Sequence, residues 1–340
     1  MRRLASRRVV LPASALVALV LACCVMLGDE PAATPQGAIL ARFTQDGTEY
    51  AIHADGGAYR RRGDEWVLAA RLFEPGAQDR AYVERDSVMH VRDDGGTLIP
   101  MRREFRADFE AAPSLRELIG LEPGWTAFTL QSPTAPTVSD YVALRREILA
   151  GRAGFRDNAL ELADVAHGGR RALRARSVAK SRAMVCCKTS IETELLHAVS
   201  GDVFHFDGWF FLEAGTPFTL VDVETTWILQ HPGIRVVVWG GRHLGMELKW
   251  ADKPQYRQAA GREVDIPRGR WFRLRFALDL SAGEDGRVRV WQDEVLVVDA
   301  PGRTLPVPFA VYNSLEVGIT SNHDAATLLM DDLAVAISRR

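Results

Sequence analysis

From residue 155 to the C-terminus the chain is a succession of short apolar runs broken by Gly, Pro and Asp turns. These include FRDNALELAD, HGGRRALRARSV, FDGWFFLEAG, PFTLVDVETTWILQ, IRVVVWGG, HLGMELKW, GRWFRLRFALDLS, GRVRVWQDEVLVVD, SLEVGIT and ATLLMDDLAVAI. Runs of this length with turn residues at this spacing suit strands, whose side chains alternate between two faces. The expectation is a mainly β fold, an antiparallel jelly-roll sandwich.

The preceding text divides differently. Residues 38–112 carry Asp-Gly turns and short alternating stretches, Tyr50-Ala51-Ile52 and Trp66-Val67-Leu68, and are expected to form a small antiparallel β-unit. Arg60, Arg61 and Arg62 make a basic tip there. Residues 105–119 read as helical. DYVALRREILAG (140–151) reads as a helix with Ser139 or Asp140 as cap and Gly151 as stop. Residues 113–151 are thus a linker with a helix, and the jelly roll is expected over 152–338.

The N-terminus has the layout of an export signal. Arg2, Arg3, Arg7 and Arg8 precede an acid-free apolar run from Val9 to Leu27, followed by the polar GDEPAATPQ. Residues 1–27 read as a signal peptide or lipoprotein leader, and 28–37 as a flexible tether. Val20-Leu21-Ala22-Cys23 resembles a bacterial lipoprotein box with Cys23 as the lipidated residue, and Ser6-Arg7-Arg8 resembles a twin-arginine signal. The expected location is extracytoplasmic, with a lipid or leader anchor to the membrane.

Outside the leader only Cys186 and Cys187 remain, expected as free thiols, because adjacent strand residues face opposite ways. The cations are 38 Arg against four Lys, and the formal net charge is −2. That balance gives no support for nucleic-acid binding.

RWFRLRFALDLSAGEDGRVRVWQDEVLVVD, with SLEVGITSN…LLMDDLAVAI as closing strands and FRDNALELADVAHGGRRALRARSV as opening strands, resembles the concanavalin A-like lectin/glucanase superfamily. The likeness is to its heparin-lyase-I-like, alginate-lyase-like and laminin-G-like variants. It implies a jelly roll with a concave sugar-binding sheet. In the lyase members that sheet carries Arg-x-Glu-Leu, Gln-x-His and a late tyrosine near glycine.

Here Glu192-Thr193-Glu194-Leu195 stands with an acid in the arginine place, and Gln230-His231 is one residue short. Glu316-Val317-Gly318-Ile319-Thr320 has no phenol. The candidate catalytic residues implied are Gln230, His231 and Tyr256. The alternative is a hydrolase pair, Asp222 and Glu224, which share a strand face.

Sugar binding would use aromatic platforms and polar side chains: Trp227, Trp239, Trp250, Arg235, Arg257 and Gln258. Trp209, Trp271 and Trp291 are assigned to the core. No cofactor is expected beyond a structural calcium, for which Asp157, Asn158, Asp331 and Asp332 could supply oxygens. The departures from the lyase motifs favour a protein that binds a polysaccharide or surface glycan without turnover. A divergent polysaccharide lyase or glycoside hydrolase is the alternative, and a structural envelope protein without sugar ligand the third reading.

Overall fold

The structure is a computed structural model that describes residues 34–45, 47–77, 81–93, 96–119 and 124–340. The leader, with the expected lipid site Cys23, lies outside the described residues. The chain divides into two compact units, one up to Pro75 and one from Gly76 to Arg340.

The first unit is a four-stranded antiparallel meander of β1 (Ile39–Gln45), β2 (Thr48–His53), β3 (Gly57–Arg62) and β4 (Glu65–Arg71). The β2–β3 turn is tied by Asp55, which accepts from the Tyr59 hydroxyl (2.5 Å) and the Gly57 amide (2.8 Å). Gly56, at φ +84°, passes so near Phe73 that a Cβ would lie 1.8 Å from its carbonyl oxygen, so only glycine fits there. Of the basic tip, Arg61 and Arg62 are exposed.

The second unit opens with a three-stranded sheet of β5 (Tyr82–Arg85), β6 (Val88–Arg92) and β7 (Leu98–Pro100), then forms a sandwich of two antiparallel sheets. The eight-stranded sheet runs β10 (Ala159–Ala163), β11 (Ala172–Ser177), β22 (Ala326–Arg339), β13 (Asp202–Ala214), β18 (Trp271–Asp279), β19 (Arg287–Gln292), β20 (Val295–Pro301), with β8 (Glu104–Ala107) also on β22. The seven-stranded sheet runs β17 (Gln255–Tyr256), β16 (His243–Leu248), β15 (Gly233–Trp239), β14 (Thr219–Glu224), β21 (Ser314–Asn322), β12 (Cys187–Thr193), β9 (Ala127–Thr129). This is the mainly β jelly-roll architecture expected from the strand spacing and from the resemblance.

Residues before 152 contribute to it through β8 and β9. Residues 105–107, expected to be helical, belong to the strand β8, because Phe105 and Ala107 alternate inward against β22. Helix α1 covers only Leu115–Leu118, and α2 covers Val138–Leu149. The cap of α2 is Thr137, in a reciprocal capping box with Asp140. The core between the sheets is filled by Phe204, Phe206, Phe210, Phe272 and Phe276 from one side and by Val221, Val223, Ile234, Val236, Leu315 and Val317 from the other. Phe206 and Phe276 stack at 5.0 Å.

Period-two alternation corrects the tryptophan assignments. Phe204, Phe206, Phe210 and Leu212 point inward from β13, so Trp209 and Phe211 point outward. Trp271 and Trp291 likewise alternate with buried Phe272 and Gln292 and lie half-buried on the outer face. There His167 stacks on Trp209 at 3.7 Å and the Arg275 guanidinium lies over Trp291. Trp125 and Trp250 are buried instead. Cys186 and Cys187 are free, as expected, with Cys187 buried and its thiol pushed up to about 11 by that burial.

Candidate functional site

The outer face of the seven-stranded sheet carries one continuous rung of polar side chains. Glu192 stands opposite Glu316, Glu316 opposite Asp222, Asp222 opposite Arg235, Arg235 opposite Glu247, and Glu247 opposite Gln255. Directly opposed residues place their Cβ atoms about 4.5–5.5 Å apart, so six strands deliver six polar groups in a line. The strands supply this line because Val221, Val223, Ile234, Val236 and Met246 take the inward positions and leave the alternate ones for charge.

Most of the rung is buried, so its charges must be matched. Lys249 reaches from beyond the end of β16 and donates to Asp222 (2.9 Å) and, more closely, to Glu224. Lys188 donates to Glu316 (3.3 Å), which also accepts from the Ser190 hydroxyl, and Thr320 donates to Asp222 (3.0 Å). Arg235 and Gln255 donate to the two oxygens of Glu247 (2.6 and 3.2 Å). Arg145, on α2, donates to Glu192 (3.1 Å).

Carboxylate oxygens of Asp222, Glu224 and Glu316 approach within 4.8 Å of one another, and the Lys249 ammonium serves as the counter-ion there. Burial alone would raise the Asp222 pKa, but the charges of Lys249, Lys188 and Arg235 outweigh it and hold the carboxyl below its usual range.

The Glu192 end of the rung lies against α2. Burial pushes the Glu192 carboxyl up to about 7, helped by the charges of Glu316 and Glu194 and opposed by Arg145 and Lys188. Tyr141 of α2 is half-buried beside the same charges, its phenol raised chiefly by burial. Burial, then the Lys188 charge, lowers His231.

The sign of the Glu192 shift sets a pH dependence. A carboxyl whose folded pKa is raised binds its proton more tightly in the folded state. Its contribution is therefore fully present below the unfolded value near 4.5 and is lost as pH rises through about 7. Glu192→Gln is expected to remove on the order of 2 kcal/mol of the decline in unfolding free energy between pH 5 and pH 8. Urea titrations at the two pH values check this, and an unchanged slope would remove Glu192 as its source.

The sequence-derived candidates divide as follows. Asp222 and Glu224 do share a strand face, and one ammonium, that of Lys249, donates to both. Gln230 and His231 sit in the β14–β15 loop with left-handed backbone (φ +74° and +44°), not on a strand, since β14 ends at Glu224. Both are exposed, and His231 feels the charges of Lys188 and Glu316. Tyr256 faces the other sheet, where its hydroxyl donates to the Arg303 carbonyl (2.5 Å), so it stands apart from His231.

Gln258 ties its own loop to the Leu244 carbonyl and to both backbone groups of Val264. Trp250 is buried, and Trp227 lies half-buried 6.0 Å from Phe309. Arg235, Trp239 and Arg257 do meet on the polar face. The Arg257 guanidinium lies 3.9 Å over Trp239, and Arg235 lies over Phe218. Phe218, Trp239 and His323 form a half-exposed aromatic surface, with Phe218 stacked on His323 at 5.6 Å and edge-on to Trp239 at 6.4 Å.

The proposed calcium ligands are not brought together. Asp331 is level with the Ala163 end of β10, while Asp157 precedes the other end, roughly 20 Å away at about 3.3 Å per residue. Each satisfies loop amides instead: Asp157 that of Thr134, Asp331 those of His167, Gly168 and Asp332.

Sequence reasoning missed Lys188, Lys249, Glu247, Arg145, Tyr141 and Phe218. A signal existed for two of them. Lysine is scarce in this arginine-rich chain, and three of the four, Lys188, Lys249 and Lys253, gather around this face.

The sequence matches no family model and no curated protein. Among solved structures it is similar to an endo-β-1,4-glucuronan lyase from the fungus Trichoderma reesei (10% identity over 62% of this chain and 95% of the other, TM-score 0.44). It is also similar to the cellulose induced protein Cip1 (16% identity, 63% and 94%, TM-score 0.41). A third likeness is to domain 4 of AbnA, a GH43 extracellular arabinanase from Geobacillus stearothermophilus (17% identity, 63% and 93%, TM-score 0.38).

Proposed function

We propose that the protein binds a polysaccharide or surface glycan on the outer face of the seven-stranded sheet, and does not turn it over. The observation that carries this is the half-exposed aromatic surface of Phe218, Trp239 and His323 beside an internally neutralised polar rung. Aromatic faces stack on the apolar faces of sugar rings, and flanking Arg and amide groups hydrogen-bond hydroxyls. Clamped carboxylates suit binding better than proton transfer, because a group already held by an ammonium is a poor general acid. Export and attachment through Cys23 belong to the same proposal and rest on the leader residues. Loss of labelled lipid incorporation in Cys23→Ala tests that part.

A second reading, a polysaccharide lyase or glycoside hydrolase, is favoured by the Glu192 end of the rung. There Tyr141, His231 and Glu192 are close to the same charges and have displaced pKa values. A glycan array probed with the full chain, followed by incubation with each glycan retained, separates the two. The expected outcome is retention of at least one glycan without new reducing ends or unsaturated product. Product formation that is lost in His231→Ala or Tyr141→Phe would establish the enzyme instead.

A further inference from the structure

Arg257 differs from the arginines around it. Arg235, Arg242 and Arg303 each pair with a carboxylate, Glu247, Asp265 and Asp252. Among the described residues Arg257 has none. Its Nε and Nη2 donate to the neutral Gln255 Oε1 at 3.1 and 2.9 Å, and its plane rests 3.9 Å from the centre of Trp239.

The orientation of Gln255 is fixed from behind, because its amide nitrogen donates to Glu247, itself held by Arg235. The Trp239 indole is set in turn by Gly245, where a Cβ would lie 2.8 Å from the indole nitrogen. An exposed guanidinium is thus held on an aromatic pedestal by an amide that leaves its charge unmatched, with Nη1 and its outer face unused. Holding the fork in place beforehand reduces the entropy lost when an oxyanion binds it.

We infer that Arg257 on Trp239 is a recognition site for an anionic group on the glycan, a carboxylate or a sulfate ester, both of which match the guanidinium fork. This rests on the glycan-binding reading above. The chain's net charge of −2 opposes bulk attraction of polyanions, so affinity for one must come from a local site.

The test is affinity electrophoresis of the full chain in gels containing polygalacturonate or dextran sulfate. Fully methyl-esterified polygalacturonate and dextran are the uncharged counterparts. Retardation is expected with at least one polyanion and not with its neutral form, and which of the two acts separates carboxylate from sulfate. Arg257→Gln is expected to weaken that retardation at least about tenfold, an energy change of about 1.4 kcal/mol. Arg257→Lys should recover only part of it, since the ammonium lacks the fork. Arg270→Gln, in the exposed loop just before β18 of the other sheet, should match the parent.

Equal retardation by charged and neutral polymers, or full retardation in Arg257→Gln, overturns the inference and leaves glycan binding standing. No retardation by either polyanion also overturns it, and glycan binding then depends on the array alone.

Discussion

Lys249→Met is expected to lower the unfolding free energy by about 3–5 kcal/mol, because it leaves Asp222 and Glu224 buried without their counter-ion. The lysine side chain is itself mostly buried, so solvent cannot replace it cheaply. The loss is expected to be partly reversed when Asp222→Asn and Glu224→Gln are added, since the neutral amides no longer need a cation. Urea unfolding of the single and triple variants measures both. A single variant as stable as the parent would show that the carboxylates find another partner and that Lys249 is not the lock of this face.

Gly233→Ala is expected to cost about 3 kcal/mol or to prevent soluble expression. A Cβ at Gly233 would lie 2.0 Å from the Val223 carbonyl oxygen and 2.7 Å from the Glu224 Cα, which no rotamer change relieves. Gly233 opposes Glu224 at the start of β15, immediately after the loop bearing Trp227, Gln230 and His231. The strain would therefore fall on the pairing of β14 with β15, the two strands that carry Asp222, Glu224 and Arg235. Thermal unfolding of the variant reports the cost, and an unshifted midpoint would mean that the backbone there has slack.

The architecture was legible because strand spacing and period-two alternation are local signals. The alternation in FDGWFFLEAG also contained the correct placement of Trp209: Phe206, Phe210 and Leu212 mark one face, so Trp209 belongs to the other. Assigning large aromatics to the core by size alone obscured this. The site was less legible, since its rung depends on register between strands far apart in sequence. Nothing local says that Glu192 will oppose Glu316, or that Lys249 will reach across β15 to Asp222.

The pair Gln230-His231 misled for a related reason. PFTLVDVETTWILQ reads as one strand through Gln230, whereas β14 ends at Glu224 and the consecutive left-handed residues Gln230 and His231 close a turn. Arg235, Trp239 and Arg257 lie near one another because alternation puts Arg235 and Trp239 on one face of β15.

The most direct test of the account is calorimetric titration of the parent chain and Trp239→Ala with a glycan retained on the array, with the glycan's length measured before and after. Saturable binding to the parent is expected, at least about tenfold weaker in Trp239→Ala, with the glycan unshortened. Equal affinity in Trp239→Ala would place the site elsewhere, and a shortened glycan would contradict binding without turnover.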